Sequence, residues 1–238
     1  MTGLLVFAQL HIRDEAHAAS SCETRNGICP DWIWHNLDRY WHPLYQQVVL
    51  VLAAVAIGFA IAFALALLGH RHRALIAPIT QVAAILYTLP SVAVFFLLLP
   101  VTGRGFGTAL VALVVYTLLI IFRNIITGLD GVPEDARDAG RGMGLTQRQL
   151  LWRVELPLAL PEIMAGLRIA LTTTVGLASL AFLAGAGGLG DTIFSDRFFR
   201  SNVLVAGGLC VLLAAALDLL VLGAQRALTP WTRARAAR

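Results

Sequence analysis

Five stretches of the chain are almost entirely apolar, and polar residues are concentrated in the segments between them. As α-helices that rise about 1.5 Å per residue, all five are long enough to cross a hydrocarbon core of about 30 Å. The pattern therefore predicts an all-α protein with five transmembrane helices, at about residues 46–68, 76–100, 107–127, 163–186 and 202–225.

The composition agrees with a membrane location. The chain of 238 residues is 58% hydrophobic and 13% charged, whereas soluble domains carry about 25% charged residues. The net charge of +4 does not indicate nucleic-acid binding, because the basic residues of the N-terminal and central polar segments share those segments with acids.

The distribution of arginine predicts the orientation. All 18 basic residues are arginines. One side of the membrane contains segments 69–75 and 128–162 and the tail. Twelve arginines lie on that side and six on the opposite side, when residues at span ends are counted with the nearer side. Cytoplasmic loops are enriched in basic residues. We therefore expect an extracytoplasmic N-terminal segment (1–45), a transmembrane domain (46–226) and a basic cytoplasmic tail (227–238) in the inner membrane.

The N-terminal segment combines aromatic residues with two cysteines. From Asp31 to Leu44, the aromatic and aliphatic side chains recur at near-helical spacing. This predicts an amphipathic helix, either at the membrane interface or folded on the protein's own surface. Cys22 and Cys29 are close enough in sequence for a disulfide outside the cytoplasm, and two free thiols are the alternative.

Two spans contain residues that are unusual in a membrane. Pro90 interrupts the second span and predicts a kinked helix that lines a pathway. Asp218 lies inside the fifth span, where a carboxylate is costly. We favour a structural role for Asp218, as a side chain paired with Arg123 or Arg168, over a proton or substrate site.

The long polar segment 128–162 predicts two short helices. Pro133 with the acids after it marks a helix start, and Gly142 and Gly144 mark its end. Thr146 and Gln149 have the spacing of a capping box for a second helix, which we expect to stop before Pro157. The two helices either dock on a partner or simply cap the bundle.

A signature in this segment resembles a known family. The permease subunits of binding-protein-dependent ABC importers carry the pattern Glu-Ala-Ala, three residues, Gly, nine residues, Ile, any residue, Leu, Pro in their cytoplasmic loop. This sequence keeps both spacings and departs at three positions, with Asp for Glu, Gly for Ala and Val for Ile. The matching residues are Asp138, Ala139, Gly140, Gly144, Val154, Leu156 and Pro157.

Further segments resemble the osmoprotectant branch of these permeases, which takes up glycine betaine, carnitine and choline. They are Thr88-Leu89-Pro90-Ser91, Arg123-Asn124 with Thr127-Gly128, Glu155 to Pro161 with Ile163 to Arg168, and Gly185 to Asp191. The resemblance covers about residues 46–230 and leaves the role of the cysteine-containing segment open.

The resemblance implies a fold, partners and a mechanism. The fold is the type I importer core of five transmembrane helices with a cytoplasmic coupling helix pair. A second permease subunit would complete the path, a binding protein would deliver substrate outside, and two ATPase subunits would carry ATP and Mg²⁺. We expect no cofactor or metal in this chain. The signature residues together with Leu150 would contact the ATPase, and Tyr87, Pro90, Phe95 and Tyr116 are candidates for lining the path.

The glycine-rich segment 185–190 fits G-x-G-x-x-G, but it ends a membrane span instead of following a strand. We therefore expect a tight turn or a gate on the outer side rather than a dinucleotide site. The charged residues after it are candidates for docking the binding protein: Asp191, Asp196, Arg197 and Arg200.

Three other functions remain as alternatives. One is an ABC permease for methionine or another amino acid. A passive channel would not need the loop signature. An intramembrane enzyme would need catalytic or metal-ligating groups in its spans, yet all six histidines precede the second span and no H-E-x-x-H occurs. The chain also lacks lysine, so it contains no P-loop of its own.

Overall fold

The computed structural model describes residue 22 and residues 27–230. Every regular element in that part of the chain is helical. Most of the predicted N-terminal segment before Gly27, and residues 231–238 of the predicted basic tail, lie outside the described residues.

Ten α-helices follow one another along the described chain. Short 3₁₀ turns lie at Leu37–Tyr40, Arg73–Leu75 and Ala181–Ala184, and a π-helical turn lies at Leu151–Glu155. The helices are α1 (Pro30–His35), α2 (Trp41–Arg71), α3 (Ile76–Thr88), α4 (Ser91–Thr102), α5 (Phe106–Asp130), α6 (Glu134–Gly142), α7 (Gln147–Leu150), α8 (Leu156–Ala178), α9 (Leu189–Ser195) and α10 (Arg200–Leu228).

Three helices of the described chain are long and apolar enough to cross a membrane. They are α2 with the turn before it, α5 and α10, which correspond to the first, third and fifth predicted spans. The pair α3 and α4 passes the same test only when both helices are counted as one broken span. Length and composition alone therefore support three spans, or four with the broken pair.

The second predicted span is not a kinked helix but two helices at a large angle. α3 and α4 are bent by 97° relative to each other. Leu89 and Pro90 between them both adopt extended conformations, with ψ of 135° and 129°. A residue that precedes proline is driven out of the helical region. The helix therefore ends one residue before Leu89 instead of continuing through a kink.

The fourth predicted span, 163–186, is displaced in the structure. It corresponds to α8, which starts earlier, at Leu156, and ends at Ala178. Glu162 and Arg168 lie within α8 and lower its hydropathy, so that it is absent from the helices that pass on length and composition. α8 instead packs against α5 and α10 inside the bundle, where polar groups of membrane helices find partners.

The bundle is organised around α5. It packs against α2 and α8, and α8 in turn packs against α10. One buried cluster lies beside the N-terminal half of α5 and includes Phe95 and Leu113. A second cluster lies beside its C-terminal half and includes Phe122 and Ile125. The second cluster also includes residues at the start of α8, so the core reaches the polar segment that joins α5 to α8.

The N-terminal segment folds onto the first turns of α10. It is not one amphipathic helix, because α1 ends at His35 and a 3₁₀ turn follows. The ring of Trp32 meets Phe199 edge-on at 4.7 Å, and the hydroxyl of Tyr40 donates to Asn202 over 2.8 Å. Trp34, by contrast, is 77% exposed. The segment thus caps the protein and still presents aromatic side chains outward.

Cys22 and Cys29 form a disulfide, with their Cα atoms 5.8 Å apart. The backbone N–H of Cys29 donates to the hydroxyl of Ser201, and that hydroxyl donates to the carbonyl of Gly27. Cys29 and Ser201 are both buried. The disulfide therefore anchors the end of the N-terminal segment to the start of α10.

Candidate functional site

The polar segment between α5 and α8 contains a helical hairpin, which we call the α6–α7 hairpin (residues 134–150). Its first helix begins after Pro133 with acidic residues in the first turn, where they interact favourably with the helix dipole. This is the predicted start. α6 ends at Gly142, and Gly144 adopts a φ of +76°, a left-handed conformation that suits glycine.

The predicted capping box is confirmed at the start of α7. The hydroxyl of Thr146 accepts a hydrogen bond from the backbone N–H of Gln149 at 3.4 Å. The side-chain oxygen of Gln149 accepts from the backbone N–H of Thr146 at 2.9 Å. The two bonds satisfy backbone donors that a helix start leaves free. The turn between α6 and α7 is therefore held by local contacts.

The prediction that the second helix stops before Pro157 is wrong. α7 passes through the π-helical turn Leu151–Glu155 directly into α8, and Pro157 lies in the first turn of α8. A proline is tolerated there, because the first residues of a helix need no N–H donor. The wider π turn separates Pro157 from the preceding helix. The hairpin is consequently joined to a membrane-embedded helix without an intervening loop.

Gly140 and Leu150 close the hairpin from inside. A Cβ atom on Gly140 would lie 2.6 Å from Cδ1 of Leu150 and 3.6 Å from Cγ2 of Val154. Leu150 is only 1% exposed and Leu156 9% exposed. The expectation that Leu150 contacts a partner is therefore wrong, because Leu150 is buried within this chain. Its side chain holds the two helices together.

A different set of residues forms the exposed surface of the hairpin. Asp138, Ala139 and Gly144 are exposed, as a contact role requires. The exposed large apolar side chains are Met143 in the hairpin, at 73%, and Trp152 in the π turn that follows it, at 52%. Neither residue was among the contact residues expected from the sequence. A signal was present for Met143, because a methionine between two glycines has few neighbouring side chains to cover it.

A buried ion pair fastens the hairpin to the membrane helices. Nε of Arg137 on α6 donates to Oε1 of Glu155 in the π turn at 2.9 Å, and the two side chains are 12% and 6% exposed. The other oxygen of Glu155 lies 2.9 Å from Nε2 of His70 at the end of α2. Arg137 also donates to the carbonyl oxygen of Leu129 in α5 at 2.7 Å. This cluster connects α6 with α2, α5 and the start of α8.

The outer charges of α6 form a second, exposed network. Arg141 donates to Glu134 at 3.0 Å and to Asp138 at 2.9 Å. Hydrogen bonds from Arg137 and then from Arg141 hold the pKa of the Glu134 carboxyl below its ordinary value. Glu134 and Asp138 therefore place paired carboxyl groups on the solvent-exposed face of α6.

Replacing Gly144 with valine is expected to reduce transport while the chain still reaches the membrane. A left-handed conformation costs a residue with a side chain about 1–2 kcal/mol, and no neighbouring atom would otherwise obstruct the new Cβ. Uptake in vesicles, normalised to the amount of permease, measures the effect. Gly142→Val is the matched control, because Gly142 has open space and lies in the helix. Equal uptake by the two variants would contradict a role for the turn.

Asp218 is paired with an arginine inside the bundle, as its predicted structural role requires. Arg168 on α8 donates from Nε and from its terminal nitrogen to the two carboxylate oxygens of Asp218 on α10, at 2.7 and 2.8 Å. Such bidentate pairs fix geometry as well as charge. Arg168 is therefore the partner of Asp218, and Arg123, the other candidate, is not.

The candidates for lining the path fall into two groups. Tyr87 is 40% exposed and lines a cavity between α3, α5 and α8, and Pro90 is exposed at the bend. Phe95 is fully buried, and Tyr116 is 5% exposed with its hydroxyl donating to the carbonyl of Leu89. The expectation that Phe95 and Tyr116 line a path is wrong, because both pack in the core of this chain.

The glycine-rich turn 185–190 is a packing element rather than a flexible one. Gly185, Gly187 and Gly188 have positive φ angles, and the backbone N–H of Gly188 donates to the side chain of Gln46 at 3.0 Å. A Cβ atom on Gly190 would lie 2.5 Å from the carbonyl carbon of Ser179. The turn therefore presses the start of α9 against the end of α8.

The candidate docking charges differ in their surroundings. Asp191 and Arg200 are exposed. Asp196 forms an ion pair with Arg39 from the N-terminal segment. The guanidinium of Arg197 lies over the rings of Phe194 and Phe198, at 4.9 and 4.6 Å. Asp196 and Arg197 thus also serve contacts within the chain, and Asp191 is left as an exposed acid beside the glycine turn.

Comparison with known families decides the class of this architecture. Residues 54–234 match the family of binding-protein-dependent transport system inner membrane components. The chain belongs to this family. It is accordingly a multi-pass membrane transport subunit rather than an enzyme, and the residues before 54, including the disulfide, lie outside the matched region.

Several curated relatives are similar over most of their length. The osmoprotectant import permease protein OsmW of Salmonella typhimurium is 40% identical over 78% of this chain and 90% of the relative. The choline transport system permease protein OpuBB of Bacillus subtilis is 37% identical, over 78% and 87%. The carnitine transport permease protein OpuCB of Listeria monocytogenes is 36% identical, over 72% and 79%.

Solved structures confirm the predicted fold class. An inward-facing structure of the MetNI methionine ABC transporter aligns with a TM-score of 0.66 and 23% identity, over 85% of this chain and 98% of that one. An amino acid ABC transporter solved with histidines aligns with a TM-score of 0.64 and 17% identity, over 78% and 94%. The chain therefore has the all-helical fold of type I ABC importer permeases.

Proposed function

We propose that this chain is the permease subunit of an ATP-driven importer for osmoprotectants of the quaternary ammonium class, such as glycine betaine, carnitine and choline. The observation that carries the substrate class is the 40% identity to an osmoprotectant import permease over 90% of its length. The amino acid alternative has weaker support, because the methionine and amino acid transporters resemble this chain at 23% and 17% identity.

The α6–α7 hairpin is the proposed contact with a separate ATPase subunit that binds ATP and Mg²⁺. Met143 in the hairpin and Trp152 in the π turn after it offer exposed apolar surface, and Asp138 offers charge. Its continuity with α8 through the π turn gives motion of the ATPase a direct route to a membrane helix. Transitions of this kind need packed elements that move as units.

The orientation that we propose places the N-terminus outside and the hairpin in the cytoplasm. The arginine distribution supports it, and so does the disulfide, because disulfides persist in oxidising compartments. The disulfide-anchored segment, α9 and the charges after the glycine turn then lie on the side from which a binding protein would dock. A second permease subunit would complete the path between two such chains.

Reconstitution tests this function. The chain is co-expressed with a candidate ATPase subunit and a candidate binding protein, co-purified and placed in vesicles. We expect ATP-dependent uptake of at least one of glycine betaine, carnitine and choline, and no uptake when ATP is omitted. Uptake of methionine in preference to all three would overturn the substrate class. Purification of the chain without any bound ATPase would overturn the importer assignment.

A further inference from the structure

A cavity with both apolar and polar walls opens between three helices of the bundle. It has a volume of about 400 Å³ and is bounded by residues of α3, α5 and α8, namely Tyr87, Leu119, Ile120, Arg123, Asn124, Thr127 and Ile169. Pockets for small molecules have volumes of about 300–1,000 Å³ and combine an apolar wall with a few polar groups. The size and lining of this cavity fit that description.

Arg123 is the unusual member of this lining. It lies within α5, one of the three helices that are apolar enough to span a membrane, and it is exposed toward the cavity it lines. In the described residues it has no ion-pair or hydrogen-bond partner. Arg168, by comparison, is neutralised by Asp218. A charge in a membrane span without a partner in its own chain indicates an ionic ligand or a pathway.

The rest of the cavity supplies an aromatic face and an acceptor. Tyr87 is 40% exposed, and its ring meets that of Tyr116 at 5.9 Å. Tyr116 is in turn held by its hydrogen bond to Leu89 at the α3–α4 bend. The amide nitrogen of Asn124 donates to the carbonyl of Ile120, so its side-chain oxygen remains available. Tyr87 is thus held in place by packing rather than free to turn away.

We propose that this cavity is an intramembrane binding site for a small zwitterion that carries a carboxylate and a quaternary ammonium group. The guanidinium of Arg123 binds the carboxylate, because its planar fork of donors matches two carboxylate oxygens. The face of Tyr87 attracts the quaternary ammonium group by a cation–π interaction. The proposal rests on the proposed function and adds to it a selectivity of the permease itself among these substrates.

The selectivity concerns the acid group. Glycine betaine and carnitine carry both charges, whereas choline has a hydroxyl in place of the carboxylate. Arg123 therefore favours the two zwitterions over choline at this site. The chain would then select its substrate a second time inside the membrane, after the binding protein has delivered it.

The test compares substrates in one reconstituted transporter, so that the binding protein is the same throughout. In Arg123→Gln we expect uptake of glycine betaine and carnitine to fall roughly tenfold or more, because charged hydrogen bonds contribute most to such a contact. Uptake of choline should change less than about twofold. Arg104→Gln is the matched control, since Arg104 is also exposed and has no partner among the described residues.

A second pair of variants separates the two ends of the ligand. Tyr87→Leu removes the aromatic face and should lower uptake of the zwitterions and of choline together, whereas Tyr87→Phe should retain most of it. The ratio of zwitterion to choline uptake within each variant is independent of how much protein folds. A ratio that moves in Arg123→Gln and not in Tyr87→Leu supports the site.

Three results would overturn the proposal. If wild-type vesicles take up choline but neither zwitterion, the proposed function stands and the site is wrong. If Arg123→Gln lowers all three substrates equally, Arg123 has a structural role or binds lipid phosphate instead. If wild-type vesicles take up none of the three, the proposed function itself fails and this inference fails with it.

Discussion

Replacing Arg137 with alanine is expected to lower the melting temperature of the permease and to uncouple ATP hydrolysis from uptake. The change leaves Glu155 buried without its strongest partner, and removing one member of a buried ion pair costs about 3–5 kcal/mol. It also removes the donor to the carbonyl of Leu129. α6 would lose its attachment to α5 and to the π turn, so that movement of the ATPase would no longer reach α8.

Arg141→Ala is the matched control for this prediction. Arg141 lies one turn further along α6 and also pairs with carboxylates, but it and its partners are 48–66% exposed. Exposed pairs contribute little to stability. We expect its melting temperature and its ratio of uptake to ATP hydrolysis to stay near the wild-type values. Similar losses in both variants would show that the net charge of α6, and not the buried pair, governs coupling.

A second substitution keeps the shape of the cluster. In Glu155→Gln the side chain retains its size but loses its charge. The guanidinium of Arg137 then keeps only the exposed carboxylate of Glu134 as a countercharge. The same uncoupling is expected as for Arg137→Ala. Thermal unfolding followed by size-exclusion chromatography measures stability, and ATPase and uptake assays on the same vesicles measure coupling. Full uptake by Glu155→Gln would contradict the role of the cluster.

Local interactions made part of the hairpin predictable. The start of α6 follows from Pro133 and the acids after it, and the start of α7 follows from the capping box at Thr146. Each depends on residues at most three positions apart, whose chemistry is visible in the sequence. The disulfide of Cys22 and Cys29 was also open to prediction as an alternative, because a separation of seven residues permits it.

Tertiary contacts decided what the sequence left unresolved. Arg137 and Glu155 are separated by 18 positions, and no periodicity connects them, so the buried cluster was missed. Leu150 reads as an apolar contact residue, yet the absence of a side chain at Gly140 lets it pack inward. Whether a proline ends a helix was harder to predict than these side-chain contacts. Pro90 separates two helices by 97°, whereas Pro157 is accepted in the first turn of a helix that follows a π turn.

The membrane helices also differ in how far the local sequence predicts them. Apolar runs located α2, α5 and α10 because each is a continuous hydrophobic sequence. α8 was placed too late in the chain, since its first turns carry prolines and Glu162, which hydropathy alone assigns to a loop. The first turns of α8 are helical because they pack against α5 and continue from the π turn after the hairpin. A polar helix start of this kind is recognisable only once its neighbours are known.

Replacing Gly190 with alanine is expected to prevent the permease from reaching a stable fold. A Cβ atom there would clash with the carbonyl oxygen of Ser179 and would lie 2.5 Å from its carbonyl carbon and 2.9 Å from its Cα. These are main-chain atoms at the end of α8, so no side-chain rotation can make room. Overpacking a folded protein costs about 1–3 kcal/mol and occasionally more. We expect the cost of Gly190→Ala to lie at the upper end of this range, because main-chain atoms cannot move aside as a side chain can.

The consequence for transport follows from the position of Gly190. The glycine turn joins α8, the helix proposed to receive the motion of the hairpin, to α9 on the side proposed for the binding protein. Separating α8 from α9 would therefore impair both stability and delivery of substrate. Gly207→Ala on α10 is the control, because open space surrounds the new Cβ, and its unfolding temperature should match the wild type. A Gly190→Ala variant with normal unfolding temperature and normal uptake would show that α8 and α9 separate freely, and the turn would then be a gate rather than a fixed contact.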